Sequence, residues 1–329
     1  MNENIITVKD LRVAFQTDRG ELVAIDGVSF DVPKGRTVGI VGESGCGKSV
    51  TCMSLIDLLP KPMGKVIGGL VEFLGEELTQ LTDKRLREIR GNDIGVIFQE
   101  PMTALNPVHT IGKQIGESLM LHKGLSKREA LVEAVELLKK VGIPAPEQRA
   151  VEFPHQLSGG MRQRVVIAIA LACQPKLLIA DEPTTALDVT VQAQILDLLS
   201  DLQKELGMSI ILITHDLGVI AQVCDEVIVM YAGRVVEQAP VHTLFANPQH
   251  AYTQGLLASI PSLEHPRKST LKTIEGQVAG ISDFVTGCRF CQRMGVPLEE
   301  LHTKPELVEI APDHKVSNCE KCNASYKPE

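Results

Sequence analysis

Residues Gly42–Ser49 follow the pattern G-x-x-x-x-G-K-S, a set of residue types suited to holding phosphate. Glycines let the backbone approach phosphate oxygens closely, so that successive N–H groups and the start of the next helix point at the anion. Lys48 adds a positive charge, and Ser49 adds a hydroxyl that can bind Mg²⁺. The apolar run Thr37–Val41 before this segment and a predicted helix through Leu59 after it provide the context that the motif requires. The segment therefore predicts a phosphate-binding loop.

A pair of neighbouring carboxylates, Asp181 and Glu182, follows the apolar run Leu177–Ala180. In open α/β sheets, ligands bind at the carboxyl ends of the strands. Asp181 would hold Mg²⁺ through water or through Ser49, and Glu182 would orient or deprotonate an attacking water. An ordinary solvated strand end explains an isolated pair equally well. Together with a phosphate-binding loop, the pair indicates attack by water on a phosphate.

A second glycine-rich turn, Ser158–Gly160, precedes the apolar run Val165–Cys173. A Ser-Gly-Gly turn that opens a helix is a further candidate anion site. A simple helix N-cap is the commoner role of a serine at such a position. From the residues alone, both interpretations stay open.

The composition is that of a globular protein. The 329 residues are 44% hydrophobic and 22% charged, which excludes collagenous, disordered and coiled-coil chains and predicts one principal domain with a smaller one attached. The formal net charge of −8 and the 3% of aromatic residues, with no tryptophan, argue against nucleic acid as the main ligand. The N-terminus has no secretory signal, and the longest apolar run, nine residues, is too short to span a bilayer. The eight cysteines are therefore expected to be reduced thiols in the cytosol.

Hydrophobic periodicity predicts an α/β core interrupted by helices. Alternating residues from Ile5 to Val32 predict antiparallel strands, and the spacing in Ile111–Val141 predicts a helical insertion. Beyond the insertion we expect further apolar strands, one long helix and a domain boundary near residues 237–248. The predicted strands are Lys176–Ala180, Ser209–Thr214 and Glu226–Tyr231, and the predicted helix is Val189–Leu206.

The segment Leu157–Gly160 resembles the signature motif of the ATP-binding subunits of ABC transporters, with Met161 where that motif usually has glutamine. The phosphate loop and the Asp-Glu pair stand in the order that the family shows, so the resemblance spans residues 5 to about 237. It implies an α/β fold with a P-loop ABC-type ATPase core, whose mixed sheet carries N-terminal antiparallel strands. It also implies an enzyme that binds and hydrolyses ATP with Mg²⁺.

Further site residues are implied by the same resemblance. Phe15 would stack on adenine, although an apolar residue of a core strand is a comparable explanation. Gln99 would contact Mg²⁺ or the lytic water, His215 would contact the γ-phosphate, and Asp188 would belong to the loop that signals between subunits. A lone histidine would more often be structural. Around these, the loop residues expected to hold the nucleotide are Gly42, Ser44, Gly45, Cys46, Gly47, Lys48, Ser49 and Val50.

The family's geometry also implies that one chain is incomplete. Ser158, Gly159 and Gly160 would complete the ATP site of a second ABC ATPase subunit, either a copy of this chain or a homologue. Two subunits would then enclose two ATP molecules, and hydrolysis would remove the contact that holds them together.

Three segments narrow the resemblance to the ATPase subunits of oligopeptide and dipeptide importers: Phe98–Pro107, Asn247–Leu257 and Gly287–Phe290. This implies an ATPase that energises peptide import from the cytoplasmic side of the cell membrane, bound peripherally to two transmembrane permease subunits. A separate extracytoplasmic binding protein would select the substrate. Import of nickel or oligosaccharides and a soluble ABC-type ATPase are the alternatives, and no nucleic acid partner is expected.

The expected domains are an ABC ATPase domain at residues 1–240, with a helical subdomain at about 101–175, and an importer-type C-terminal extension at residues 241–329. The extension carries two C-x-x-C pairs, Cys288 with Cys291 and Cys319 with Cys322. Four thiolates can bind one tetrahedral metal centre, and they suit zinc and iron–sulfur clusters alike. Four unrelated buried thiols are the other possibility.

The resemblance bears on the identity of this metal. Some dipeptide-importer ATPases carry a [4Fe–4S] cluster on the same extension, which favours iron. Cys288 and Cys319 match the family's positions, whereas Cys291 and Cys322 depart from its usual spacing. We therefore predict either a [4Fe–4S] cluster or Zn²⁺, at a site distant from ATP.

Overall fold

The computed structural model describes residues 3–99, 104–185, 187–260 and 273–321. These residues form two compact units, each assembled from segments that are distant in sequence. The first unit comprises the described parts of residues 1–5, 32–37 and 80–213, and the second comprises those of residues 6–31, 38–79 and 214–329. Glu100 to Thr103, Ala186 and Cys322 lie outside the described residues.

The first unit contains a parallel sheet and the predicted helical insertion. Strand β7 (Leu177–Asp181) pairs in parallel with β6 (Ile94–Ile97) on one side and with β8 (Ser209–Ile213) on the other. Every residue of β7 and β8 is buried, as expected for the continuous apolar runs of a parallel sheet. The helices are Asp83–Ile89, Ile111–Lys123, Lys127–Lys140, Pro146–Val151, Gly159–Leu171 and Val189–Leu206.

The predicted insertion Ile111–Val141 is confirmed as two helices with a break at Gly124 to Ser126. Gly124 ends the first helix with a φ of 67°, and Ser126 begins the second with a capping box to Glu129. Their buried faces are lined by residues such as Ile115 and Leu138. Capping and one apolar face per helix therefore account for this part of the fold.

The second unit contains the N-terminal strands. Their hydrogen-bonded order is β2 (Gly20–Pro33), β1 (Asn4–Thr17), β4 (Gly64–Phe73) and β5 (Glu76–Glu77). Strand β1 runs antiparallel to β4, with Val8 opposite Val71 and Phe15 opposite Gly64. The two predicted N-terminal strands are thereby confirmed, whereas β4 was not predicted.

A mixed sheet forms the rest of the second unit. Strand β3 (Thr37–Val41) is parallel to β9 (Glu226–Tyr231), and β10 (Arg234–Pro240) is antiparallel to β9. A hairpin from the C-terminal extension, β11 (Leu307–Ala311) and β12 (His314–Ser317), continues this sheet through antiparallel pairing of β12 with β10. The helices are Lys48–Leu55, Leu217–Val223, Val241–Ala246, Ala251–Ala258 and Arg289–Arg293.

The structure differs from the sequence prediction at two places. The helix after the phosphate loop ends at Leu55, earlier than the predicted Leu59, and Ile56 follows it outside helical geometry. The fading periodicity after Pro240 gave no indication of the hairpin, whose burial depends on pairing with β10. Among the described helices, none combines the length and apolarity needed to cross a bilayer.

Candidate functional site

The predicted phosphate loop lies between β3 and the helix Lys48–Leu55 in the second unit. Gly42 is required by close packing, since a Cβ there would lie 2.3 Å from the carbonyl oxygen of Met230. Gly47 stands at the helix N-cap with a φ of 103°, a conformation that side chains rarely allow. No side chain caps this helix, and uncapped N–H groups at a helix N-terminus are suited to binding phosphate.

The lysine of the loop is held from within. Lys48 is 6% exposed, and its Nζ donates to the carbonyl oxygens of Gly42 at 2.7 Å and Glu43 at 3.1 Å. Burial raises the pKa of the Cys46 thiol, although the nearby Lys48 opposes this, so Cys46 is not a reactive thiolate. Ser44 and Gly45 are exposed, whereas Gly47, Ser49 and Val50 are half-buried.

His215 lies close to the phosphate loop, in the turn that follows β8 along the chain. The neighbouring Thr214 donates its N–H to the carbonyl oxygen of Ile40 at 3.3 Å, which ties this turn to β3. His215, Gly42 and Glu43 line the same cavity of about 400 Å³. Its further lining residues include Asp216 and, from the extension, Leu256 and Ile260. The structure therefore brings the histidine and the loop together.

Phe15 lies near the end of β1, half-buried, with its ring against Gly64. A Cβ at Gly64 would lie 2.9 Å from a ring carbon of Phe15. The ring therefore occupies the space that the missing side chain leaves.

The first unit brings together Glu182 and Gln99, which are 83 residues apart. The Glu182 carboxylate accepts hydrogen bonds from Nε2 of Gln99 at 3.2 Å and from Oγ1 of Thr185 at 2.8 Å. Asp181 is 4% exposed at the end of β7, and Glu182 follows it with a φ of 47°. A non-glycine residue in the left-handed region carries strain, and such strain is common at functional sites.

Ser158 and Asp188 both cap helices of the first unit. Ser158 Oγ accepts a hydrogen bond from the N–H of Met161 at 3.4 Å, and Asp188 Oδ1 accepts one from the N–H of Val191 at 3.0 Å. Ser158 and Gly159 are exposed, and Gly160 is half-buried. Capping and binding of a second subunit's nucleotide are therefore compatible, because the outer side of the turn is open.

Three of the four predicted cysteine ligands lie together in the second unit. The sulfur atoms of Cys288, Cys291 and Cys319 are all within 4.8 Å of one another, and those of Cys291 and Cys319 are 3.5 Å apart. Cys288 caps the helix Arg289–Arg293 by accepting from the N–H of Cys291 at 3.4 Å. Cys322 lies outside the described residues.

The extension also contributes residues that sequence reasoning did not single out. Asp26 of β2 forms ion pairs with three cationic side chains. They are Arg234, Arg289 and Lys304, with N–O distances of 2.7, 3.3 and 2.8 Å. Burial raises the pKa of Asp26, but hydrogen bonds from Lys304 and Arg234 outweigh burial and lower it to about 2. Charged residues scattered over hundreds of positions give no local pattern, so this network had no sequence signal.

A glycine-rich phosphate loop after a buried strand, paired carboxylates after another and a helix-opening Ser-Gly-Gly turn define an ATP-binding cassette, a class of ATPases. Family models agree: residues 25–185 match the ABC transporter family, and residues 236–295 match the oligopeptide/dipeptide transporter C-terminal region.

Curated relatives identify the branch. The chain is 51% identical over 314 residues to a probable peptide ABC transporter ATP-binding protein of Sinorhizobium fredii, covering 94% of this chain and 93% of the relative. It is 50% identical over 315 residues to the oligopeptide transport ATP-binding protein OppD of Bacillus subtilis, covering 95% and 88%. The chain belongs to this family of ABC transporter ATP-binding subunits of the oligopeptide and dipeptide type.

A solved structure supports the fold. The ATP-binding cassette MJ0796, in a dimeric post-hydrolysis state bound to ADP and Pi, superposes with a TM-score of 0.64 at 31% identity. The match covers 72% of this chain and 98% of that one. The expected ABC-type ATPase core is thereby confirmed.

Proposed function

We propose that this chain is the ATP-hydrolysing subunit that energises peptide import through a pair of membrane permeases. The observation that carries the proposal is identity of about 50% to peptide-transport ATP-binding proteins over nearly the whole length, C-terminal extension included. Such a subunit supplies energy, and a separate binding protein and the permeases select the peptide. It would lie peripherally on the cytoplasmic side of the membrane.

The loop of the second unit would bind the phosphates of ATP. Lys48 supplies the positive charge, Ser49 with Asp181 and Gln99 would hold Mg²⁺, and His215 would contact the γ-phosphate. Phe15 would stack on adenine. The remaining nucleotide contacts of the loop would be backbone groups of Gly42, Ser44, Gly45, Cys46, Gly47 and Val50.

Glu182 would act on the attacking water. Its carboxylate is already oriented by Gln99 and Thr185, and an oriented carboxylate can accept a proton from water as the bond to the γ-phosphate forms. The Gln99 amide donates to the same carboxylate, so a movement of Gln99 would change the orientation of Glu182. Gln99 would in this way connect catalysis to the helical subdomain at about residues 101–175.

A second ATPase subunit, a copy or a homologue, would complete the site. The exposed Ser158 turn offers a helix N-terminus to a phosphate outside its own chain, and Asp188 would lie at the same interface. The ATPase domain would extend over residues 1–240, and the extension over residues 241–329.

The extension would hold a structural or redox-active metal. The three clustered sulfur atoms fit a single zinc ion, because four thiolates of a tetrahedral zinc centre lie about 3.8 Å apart for a Zn–S bond of about 2.3 Å. Cys288, Cys291 and Cys319 would be three ligands, with Cys322 as the fourth. When bound, zinc or a [4Fe–4S] cluster would crosslink the extension.

The function is tested by affinity purification of the tagged chain from its native host. We expect two multi-spanning membrane proteins to co-purify, and a vesicle-reconstituted complex to raise its ATP turnover when a peptide-loaded binding protein is added. Recovery of the chain without membrane proteins, or turnover that responds to nickel or oligosaccharide instead, would contradict the proposal.

The metal site is tested separately by anaerobic purification, metal and sulfide analysis and visible absorption. A brown protein with iron and sulfide identifies the cluster, and stoichiometric zinc identifies the single ion. The matched variants are Cys291→Ser, expected to lose metal, and Cys224→Ser, expected to keep it. A metal-free, folded extension would refute the site.

A further inference from the structure

Two side chains of the C-terminal extension hold one residue of the phosphate loop. Arg293 binds the Glu43 carboxylate with both guanidinium nitrogens, Nη1 to Oε2 at 2.6 Å and Nη2 to Oε1 at 3.3 Å. Tyr252 accepts the backbone N–H of Glu43 at its hydroxyl, at 2.9 Å. We call these two contacts the Glu43 clamp. The loop is therefore supported by residues more than 200 positions further along the chain.

Arg293 is held in place by contacts other than the one with Glu43. Its side chain is 3% exposed, and it donates further hydrogen bonds to the carbonyl oxygens of residues 274 to 276. Those bonds are 2.7 Å from Nε to Glu275, 2.9 Å from Nη2 to Ile274 and 3.0 Å from Nη2 to Gly276. A buried, bidentate arginine with this many acceptors is preorganised, unlike an arginine in an exposed ion pair.

Tyr252 is equally constrained. It is fully buried, and its ring packs against those of Tyr231 and Phe290 with centroid distances of 4.7 and 5.6 Å. Its hydroxyl therefore has little freedom to leave the Glu43 N–H. Loss of the hydroxyl would leave that N–H without its acceptor, which is costly where water has little access.

The Glu43 clamp is connected to Lys48, the lysine expected to bind the phosphates of ATP. Lys48 donates to the carbonyl oxygen of Glu43, so Glu43 is held at its carboxylate, its N–H and its carbonyl oxygen. A displacement of Glu43 would move an anchor of Lys48. The carboxylate also matters by its charge, because an unpaired negative group beside a phosphate loop repels the phosphates.

We propose that Arg293 is a positioning residue for the ATP site, through which the C-terminal extension sets nucleotide affinity by neutralising Glu43. The proposal rests on the proposed role of the loop in ATP binding. Arg293 ends the same five-residue helix that Cys288 caps and that contains Cys291, so the clamp and the cysteine cluster share one short element.

The test is calorimetry of MgATP binding to the purified full chain, together with its thermal unfolding midpoint. Arg293→Gln should weaken binding about tenfold, because Glu43 becomes an uncompensated charge. The double variant Arg293→Gln with Glu43→Gln should recover most of the affinity, since no charge then remains to repel phosphate. The control is Lys304→Gln, which removes another ion pair between the extension and the core and should leave affinity within twofold.

The outcomes separate the possibilities. Unchanged affinity in Arg293→Gln, or a double variant as weak as the single one, would overturn the proposal, the latter by showing a merely structural role. If Arg293→Gln does not fold, Glu43→Gln decides, because the proposal expects it to bind MgATP at least as tightly as the native chain. A native chain that binds no MgATP at all would instead contradict the proposed function.

Discussion

The two units of this chain hold their functional groups in different ways. In the second unit the phosphate loop is supported from far along the chain, by Tyr252 and Arg293, and its lysine is buried. The first unit relies on local hydrogen bonds, each to a residue three positions further along the chain, made by Ser158, Glu182 and Asp188. Glu182 also accepts a hydrogen bond from Gln99, which is distant in sequence.

This difference indicates a division of work. A buried, multiply anchored loop is preorganised to bind a ligand with the chain's own groups. The exposed Ser158 turn is accessible to another subunit, and the half-exposed carboxylate of Glu182 is accessible to water. Changes in the second unit should therefore affect nucleotide binding and stability, and changes in the first unit should affect turnover.

The largest effect is expected for Glu182→Gln. Turnover should fall roughly 10²–10⁴-fold while ATP affinity stays within twofold, because the water loses its base but the phosphate loop is intact. Turnover is measured on the vesicle-reconstituted transporter, and affinity by calorimetry on the chain. The control is Glu299→Gln, an exposed residue of the extension. Near-normal hydrolysis by the Glu182 variant would reject its catalytic role.

Lys48→Ala should show the opposite behaviour. ATP affinity should fall roughly 10–100-fold, because a charge-assisted hydrogen bond to phosphate is lost. Equilibrium binding of MgATP measures the loss, and Lys34→Ala, at an exposed position, is the control. An affinity equal to that of the native chain would show that the loop does not hold the phosphates as proposed.

Asp26→Asn probes stability in the second unit. The free energy of unfolding should fall by about 1–3 kcal/mol at pH 7, because three cations lose their partner in a partly buried site. The control is Asp57→Asn, whose pair with Lys61 is more exposed and should matter by less than about 1 kcal/mol.

The same variant has a defined pH dependence. Because the pKa of Asp26 in the folded chain is about 2, below its ordinary value of 3.8, its ionised form stabilises the fold above about pH 4. This contribution should disappear as the pH falls from about 4 towards 2. Urea unfolding of the native chain and of Asp26→Asn across pH 3 to 7 measures the difference between their free energies of unfolding. This difference should be constant at higher pH and should shrink below pH 4. If this difference in the free energy of unfolding does not change with pH, the ionised Asp26 carboxylate does not stabilise the fold in this way.

Much of the fold was predictable where one segment carries its own signal. The bounds of β3, β9 and the helix Val189–Leu206 agree with the prediction, because continuous apolar runs and helical spacing are local properties. Strand β4 was missed, since Gly64, Gly68 and Gly69 weaken the strand pattern and only pairing with β1 fixes it.

The C-terminal hairpin shows why the rest could not be predicted. Strand β12 contains His314, which binds the fully buried Glu237 of β10 at 2.8 Å. Glu237 also accepts the N–H groups of the neighbouring residues Gln249 and His250, so its carboxylate has three partners from two separate segments. A buried carboxylate looks like a surface residue in sequence, and its partners are visible only in three dimensions.

The candidate site divides in the same way. The motif residues could be found by type and spacing, whereas the contact between Gln99 and Glu182, 83 residues apart, was not predicted. Arg293 and Tyr252 could not be linked to Glu43 in advance, because no local pattern relates residues more than 200 positions apart.

We infer that the second unit binds ATP with its own loop, while the Ser158 turn serves another subunit. Ser158→Asp tests it most directly, because aspartate caps a helix as well as serine does but places a negative charge where a phosphate would bind. Ser158→Asn, a neutral cap, is the matched control. We predict that Ser158→Asp binds MgATP within twofold of the native chain, while turnover of the assembled transporter falls at least about tenfold. The inference is wrong if turnover of Ser158→Asp equals that of Ser158→Asn, or if MgATP binding by the isolated Ser158→Asp chain falls as much as turnover does.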